Sequence, residues 1–238
     1  AHCVFYLGRV EETRSNYDQA KSHYVNALRL FQAEGKQRLS KMSVDSLELV
    51  DSEGKLLLEL EAINLWAARA LYHIANIHKA TSCIGDAVGC YEEAIRIRSQ
   101  YKNAKRLNSA LIHLDFAKAL HDHQHYDKSI ECYSYSLRIF LTHFGKDSLD
   151  VADTLTGMGK SFAMKSVFEK TMQCYDKAMR VYEYREGLAP KEKKGLLHRE
   201  IADTLQRLDG DIFEVLEHYR SSVSFLEEFN ERHSAAVP

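Results

Sequence analysis

One short frame recurs five times along this chain, and it restricts the fold more than any other feature. A large side chain is followed three positions later by a smaller one, and four positions after that by a tyrosine. The copies read Tyr17-Ala20-Tyr24, Ile84-Ala87-Tyr91, Tyr126-Ser129-Tyr133, Phe168-Thr171-Tyr175 and Ile212-Val215-Tyr219. Spacings of three and four put all three residues on one helical face. The tyrosines are separated by 67, 42, 42 and 44 residues. Near-regular recurrence of one unit predicts a stacked array in which each unit buries its apolar face against its neighbours.

Each copy follows a small residue on a preceding apolar stretch: Leu7-Gly8, Ala75, Phe116-Ala117, Met158-Gly159 and Ile201-Ala202. Small residues there let a first helix approach closely the second helix that carries the tyrosine. Asn16 is the expected N-cap of the first such second helix. Only two prolines occur in the 238 residues, which suits long helices, because an interior proline costs roughly 3 kcal/mol. The predicted units are 1–34, 64–101, 106–143, 148–186 and 195–230, within one array over 1–238. The fifth is the least regular, with Val215 at the small position and an extra residue around Asp209-Gly210-Asp211. The first spacing is 25 residues longer than the next two. That excess points to an irregular acidic insertion over 41–54, followed by a long helix from about Leu56 to Ala80. The chain also opens inside the first unit, as expected of a piece of a longer protein.

Thirty-two basic against 34 acidic side chains give a net charge of −2, which predicts no attraction to nucleic acid. Apolar runs stay well short of the roughly 20 residues that span a bilayer, so no membrane insertion is expected. Of the five cysteines, Cys90, Cys132 and Cys174 sit just before the frame tyrosine in successive units, and Cys3 and Cys83 stand elsewhere. Helices pack about 8–10 Å apart, whereas a disulfide needs Cα atoms within about 7 Å. The cysteines therefore read as packing residues of a reducing compartment.

Residues 1–34, with Leu7-Gly8, Tyr17, Ala20, Tyr24 and Ala27, resemble the tetratricopeptide repeat. The connector Gly145-Lys146-Asp147-Ser148-Leu149-Asp150-Val151-Ala152-Asp153-Thr154-Leu155, inside a 42-residue unit, resembles the repeats of kinesin light chains. Ser148-Leu149 stands where that family usually has His-Pro, and Thr156-Gly157 where asparagines are usual. Gly145 is expected to take a left-handed C-cap, with Asp147 or Ser148 capping the next helix. The resemblance implies an all-α right-handed solenoid of about five helix-turn-helix repeats. It further implies a cytoplasmic protein-binding scaffold or adaptor whose concave groove is lined by the first helices.

In that frame the residue after each small position is Arg9, Asn76, Lys118, Lys160 or Asp203. One turn earlier stand Phe5, Tyr72, Leu114, Thr156 and Arg199, and one turn later Glu12, Lys79, His121, Ala163 and Gln206. The expected partner-binding residues are Phe5, Arg9, Tyr72, His73, Asn76, Lys79, Leu114, Lys118, Thr156 and Lys160. Their lysines and arginine predict a protein or peptide partner with acidic residues, anchored by an aromatic contact. The alternative is a peptide-sensing regulatory domain that controls a fused effector. No phosphate-binding loop, nucleophile elbow or dinucleotide fingerprint is present, so no enzyme activity and no cofactor are expected. His121 and His125 lie one helical turn apart, but no third ligand accompanies them at a fixed spacing, so no metal site is expected there.

Overall fold

The structure is a computed structural model that describes residues 1–42, 50–101, 106–185 and 187–234. Among these are ten α-helices and no strand: α1 (His2–Thr13), α2 (Tyr17–Met42), α3 (Val50–Ala80), α4 (Ile84–Ser99), α5 (Arg106–Asp122), α6 (Tyr126–Phe144), α7 (Leu149–Met164), α8 (Phe168–Tyr184), α9 (Lys191–Arg207) and α10 (Ile212–Ser234). The frame tyrosines all lie on even-numbered helices and the small residues on odd-numbered ones. None of the ten helices is long and apolar enough, among the described residues, to cross a membrane.

The residues cluster into two compact units, Ala1–His123 and Gln124–Pro238, which divide the predicted array inside the turn of its third copy. In the first unit each helix packs on the next, from α1 through α5, and α3 also touches α5. In the second the same order runs from α6 through α10, with α7 also touching α9. Packing on the next helix and on the next-but-one is the connectivity of a helical-repeat stack.

The first unit's core gathers Phe5, Ala20, Tyr24, Ala27, Phe31, Ile63, Ala67, Ala70, Ile74 and Ile77, all less than a tenth exposed. Alanine alternating with large rings is what lets these helices interlock. A Cβ at Gly8 would stand 2.9 Å from the Tyr24 ring. In the second unit a Cβ at Gly159 would collide with Cε1 of Tyr175, whose side chain is fully buried. The five cysteines are free. Cys174 is buried, which pushes its thiol up to about 11, so it packs as a neutral group.

Every turn between a first and a second helix contains one non-glycine residue in the left-handed region. These are Ser15 (φ 61°), Ser82 (φ 60°), Gln124 (φ 63°), Ser166 (φ 58°) and Asp209 (φ 52°). This conformation costs a residue with a Cβ roughly 1–2 kcal/mol, so helix packing on both sides holds each turn in place. Asp209 precedes the extra residue of the fifth copy. There Val215, at the small position, is only 3% exposed, so the bulkier side chain is accommodated inside the helix pair.

Three cap expectations are refined. Gly145 has the expected positive φ of 81°, but its ψ of 171° makes it extended rather than αL. Ser148 is the cap of α7, its hydroxyl accepting from the Asp150 amide at 3.2 Å. Asn16, expected as a cap, donates its side-chain amide to Glu11 at 2.8 Å.

Of the irregular stretch expected over 41–54, residues 41–42 and 50–54 are helical. Helix α2 runs to Met42 and α3 begins at Val50, while residues 43–49 lie outside the described residues. The 31 residues of α3 include the expected 56–80 helix and begin six positions before it. Once nucleated, a helix propagates with one hydrogen bond gained per residue fixed, and Lys55 to Glu61 are good helix formers. Arg38 of α2 ties the two helices through an ion pair to Glu59 of α3 and pairs within its own helix to Glu34 at 3.2 Å.

Candidate functional site

A pocket of about 950 Å³ opens on the first unit, walled by α1, α3, α4 and α5. Arg9, Glu12 and Thr13 come from α1; Ala62, Leu65, Trp66, Arg69, Tyr72 and His73 from α3; Arg98 from α4; and Asn108, Leu111 and Ile112 from α5. The α3 residues recur at helical spacing, so a single face of that helix forms the long wall. Its volume lies at the upper end of the roughly 300–1,000 Å³ typical of ligand pockets.

Three arginines and one carboxylate meet here. Arg9 and Arg69 are exposed, and neither is in an ion pair among the described residues. The Arg69 guanidinium carbon lies 5.1 Å from the Trp66 ring centroid and 5.5 Å from that of Phe5, which orients it by cation–π attraction. Arg98 is 7% exposed, and its Nε donates to Ser109 Oγ at 3.1 Å. Trp66 is braced edge-on by His2 at 4.7 Å and stacked by Phe31 at 6.1 Å, so its indole is held in place before any ligand arrives.

Glu12 is already committed. Tyr24 donates its hydroxyl to Glu12 Oε2 at 2.5 Å, and the same oxygen lies 3.1 Å from His73 Nδ1. His73 in turn stacks on the Tyr24 ring at 5.0 Å. Burial alone raises the Glu12 carboxyl, but the contacts from His73 and Tyr24, with Arg9 nearby, outweigh it and hold the group below its ordinary 4.5. A depressed folded value contributes stability that is complete above the unfolded value and is lost as pH falls through the folded one. Glu12→Gln is therefore expected to destabilise the chain near neutrality, with the deficit shrinking below about pH 4. Urea midpoints of both proteins between pH 3 and pH 7 check this.

Of the residues expected from the repeat frame, Arg9, Tyr72 and His73 line this pocket together. Tyr72 donates to Asp115 Oδ2 at 2.7 Å, and burial with that carboxylate beside it keeps its hydroxyl protonated far above neutrality. Phe5 is 0% exposed and Leu114 is 8% exposed, so both belong to the core behind the surface. Asn76 accepts the Tyr91 hydroxyl at 2.5 Å, tying α3 to α4. Lys79 is half-buried in the last turn of α3 and outside the pocket lining. Lys118 is exposed and pairs with Asp115 at 3.1 Å, one turn away on its own helix. In the second unit Thr156 bonds back to the Ala152 carbonyl at 2.9 Å, and Lys160 pairs with Glu200 of α9 at 2.8 Å.

A rule relates these placements. In three of the five copies the residue after the small position, or one turn later, accepts the hydroxyl of the frame tyrosine on the following helix. Glu12 serves Tyr24, Asn76 serves Tyr91, and Asp203 accepts from Tyr219 at 2.5 Å, with Gln206 at 3.2 Å. In the fourth copy these positions are Lys160, which cannot accept, and Ala163, which has no polar atom. The buried Tyr175 hydroxyl accordingly has no hydrogen-bond partner among the described residues. Residues placed by the frame as groove contacts are thus often taken up internally.

Trp66, Arg69, Leu65, Arg98 and Leu111 were not found by the frame, which counted one turn to either side of the small residue. The available signal was the stripe Ala62, Leu65-Trp66, Arg69, Tyr72-His73, which continues the Tyr72 face toward the N-terminus of α3.

No family model matches the chain, and no curated protein sequence does. Solved structures do: BtubC (BKLC) from P. vanneervenii superposes with a TM-score of 0.63 over 98% of this chain and 79% of its own, at 14% identity. A double mutant of MamA from RS-1 superposes with a TM-score of 0.52 over 85% of this chain and 96% of its own, also at 14% identity. At such identities the likeness concerns architecture alone, and it agrees with the helix pairing described above: the fold is an all-α, tetratricopeptide-like helical repeat.

Proposed function

We propose that the chain is a protein-binding scaffold, and that the pocket of its first unit takes a partner segment in which acidic side chains flank an aromatic or large apolar one. The observation that carries this reading is the convergence of Arg9, Arg69 and Arg98 around Trp66 and Tyr72, with the one lining carboxylate, Glu12, already engaged by Tyr24. Arginine and tryptophan are the residue types that dominate binding energy at protein interfaces. Paired cations beside a braced indole suit an acidic segment with a flat or branched anchor, and the role is capture rather than catalysis.

Trp66 is the only tryptophan in the chain, so its fluorescence reports on this pocket directly. Titration with a short peptide of Glu and Asp around one Phe is expected to shift the emission saturably, with affinity falling as salt rises. The same peptide with Lys in place of its acids is expected to give no shift. Equal responses to both peptides, or none to either, would remove the charge-based reading.

A further inference from the structure

The turn between α3 and α4 brings together three donors that the pocket does not use. His78 stands in the last turn of α3, Cys83 is the N-cap residue of α4, and Asp86 is in the first turn of α4. One donor atom from each lies within 4.8 Å of the other two. His78 is 8% exposed, yet its ring makes no hydrogen bond among the described residues. Its Nδ1 faces Asp86 Oδ2 at 3.7 Å, too far for a hydrogen bond.

That separation has a different meaning for a metal. With bonds of about 2.0–2.3 Å and tetrahedral angles, the donors around zinc lie roughly 3.3–3.7 Å from one another. The His78–Asp86 gap already matches, and the exposed Cys83 and Asp86 side chains have room to close the remaining distance by rotation. The first copy shows what these positions do otherwise. Glu11 and Asn16 occupy the places of His78 and Cys83, and they hydrogen-bond to each other at 2.8 Å. In the second copy that staple is replaced by an imidazole and a thiol with no bond between them.

We propose that His78, Cys83 and Asp86 form a binding site for a borderline-soft divalent cation of the zinc class. Neutral imidazole, thiolate and carboxylate together balance a charge of +2, and a mixed N, S, O set suits zinc better than calcium or magnesium. Three protein donors leave a fourth position for water. The thiol proton passes to solvent on binding. Lys21 of α2 is the nearby cation that acts on His78, and Cys90, one turn after Asp86, is half-buried. Because the donors come from both α3 and α4, the ion would clip this helix pair together.

The test uses the full chain, reduced and stripped by chelator. Zinc titrated against a chromophoric competitor is expected to bind at one equivalent per chain and to raise the melting temperature. Cobalt in its place is expected to show a thiolate charge-transfer band. Cys83→Ser removes that band, and both Cys83→Ser and Asp86→Asn weaken zinc at least about tenfold. Cys83 and Asp86 are exposed, so neither variant threatens folding. Cys3→Ser, which alters an exposed thiol elsewhere, is expected to change nothing. Absence of zinc binding, or binding that survives Cys83→Ser and Asp86→Asn unchanged, overturns the proposal.

Discussion

Tyr175→Ala is expected to cost the second unit about 3–5 kcal/mol, whereas Tyr175→Phe is expected to be neutral or mildly stabilising. The ring is fully buried against α7, and it lies so close to Gly159 that a methyl there would meet it. Truncating it leaves a cavity bounded by helices that cannot collapse without breaking their other contacts. The hydroxyl contributes in the opposite sense. It is buried with no partner among the described residues, because Lys160 is a donor held by Glu200 and Ala163 offers nothing. Removing an unsatisfied buried polar group recovers its desolvation cost. Tyr91→Phe is the counter-case, since it strands the Asn76 acceptor that Tyr91 now serves at 2.5 Å, at a cost of about 1 kcal/mol. Urea unfolding of the full chain, followed by far-UV circular dichroism, gives all three values. A Tyr175→Phe penalty equal to that of Tyr91→Phe would refute the account of the tyrosine partners.

The second large effect is on binding. Arg9→Glu combined with Arg69→Glu is expected to weaken capture of an acidic peptide roughly 100-fold, in a chain that far-UV circular dichroism shows to be still helical. Both side chains are exposed and, among the described residues, outside any ion pair, so reversal replaces two attractions by two repulsions, while Arg69 also gives up its contacts with the Trp66 and Phe5 rings and Arg9 its attraction for Glu12. Lys118→Glu and Lys160→Glu make the informative comparison. Lys118 is bound to Asp115 at 3.1 Å and Lys160 to Glu200 at 2.8 Å, so much of their charge is locally balanced. Their reversal is expected to change peptide affinity by less than about tenfold. Trp66 fluorescence measures affinity in every variant. If the lysine pair proves the more damaging, the partner lies elsewhere than in the pocket of the first unit.

The local sequence carried the helices and their pairing because the relevant spacings are short. Gly8, Ala20 and Tyr24, or Gly159, Thr171 and Tyr175, declare within about sixteen residues which faces are small and which are large. Helix periodicity then leaves one way to nest them. The turns were legible in place but not in conformation. Ser15, Ser82, Gln124, Ser166 and Asp209 all take a positive φ, yet no residue among them announces it as glycine would.

The site was legible only in part, for two physical reasons. A polar side chain on a first helix reads the same whether it faces a partner or a buried tyrosine hydroxyl, and Asn76 and Glu12 turned out to serve tyrosines. The α3 wall of the pocket, Ala62 to His73, also runs more than one helical turn N-terminal to Ala75, so a frame counted one turn to either side of the small residue reaches Tyr72 but not Trp66 or Arg69.

By itself, then, the sequence determined a stack of paired helices, the tyrosine on each second helix and the small residue on each first one, because those are set by contacts within a single helical pair. Tertiary structure decided, among the described residues, which cations stay outside ion pairs, which tyrosine lacks an acceptor, and which face of α3 stands open beside Arg9 and Arg98. Those outcomes depend on side chains brought together from helices distant in the chain, and no local period encodes them.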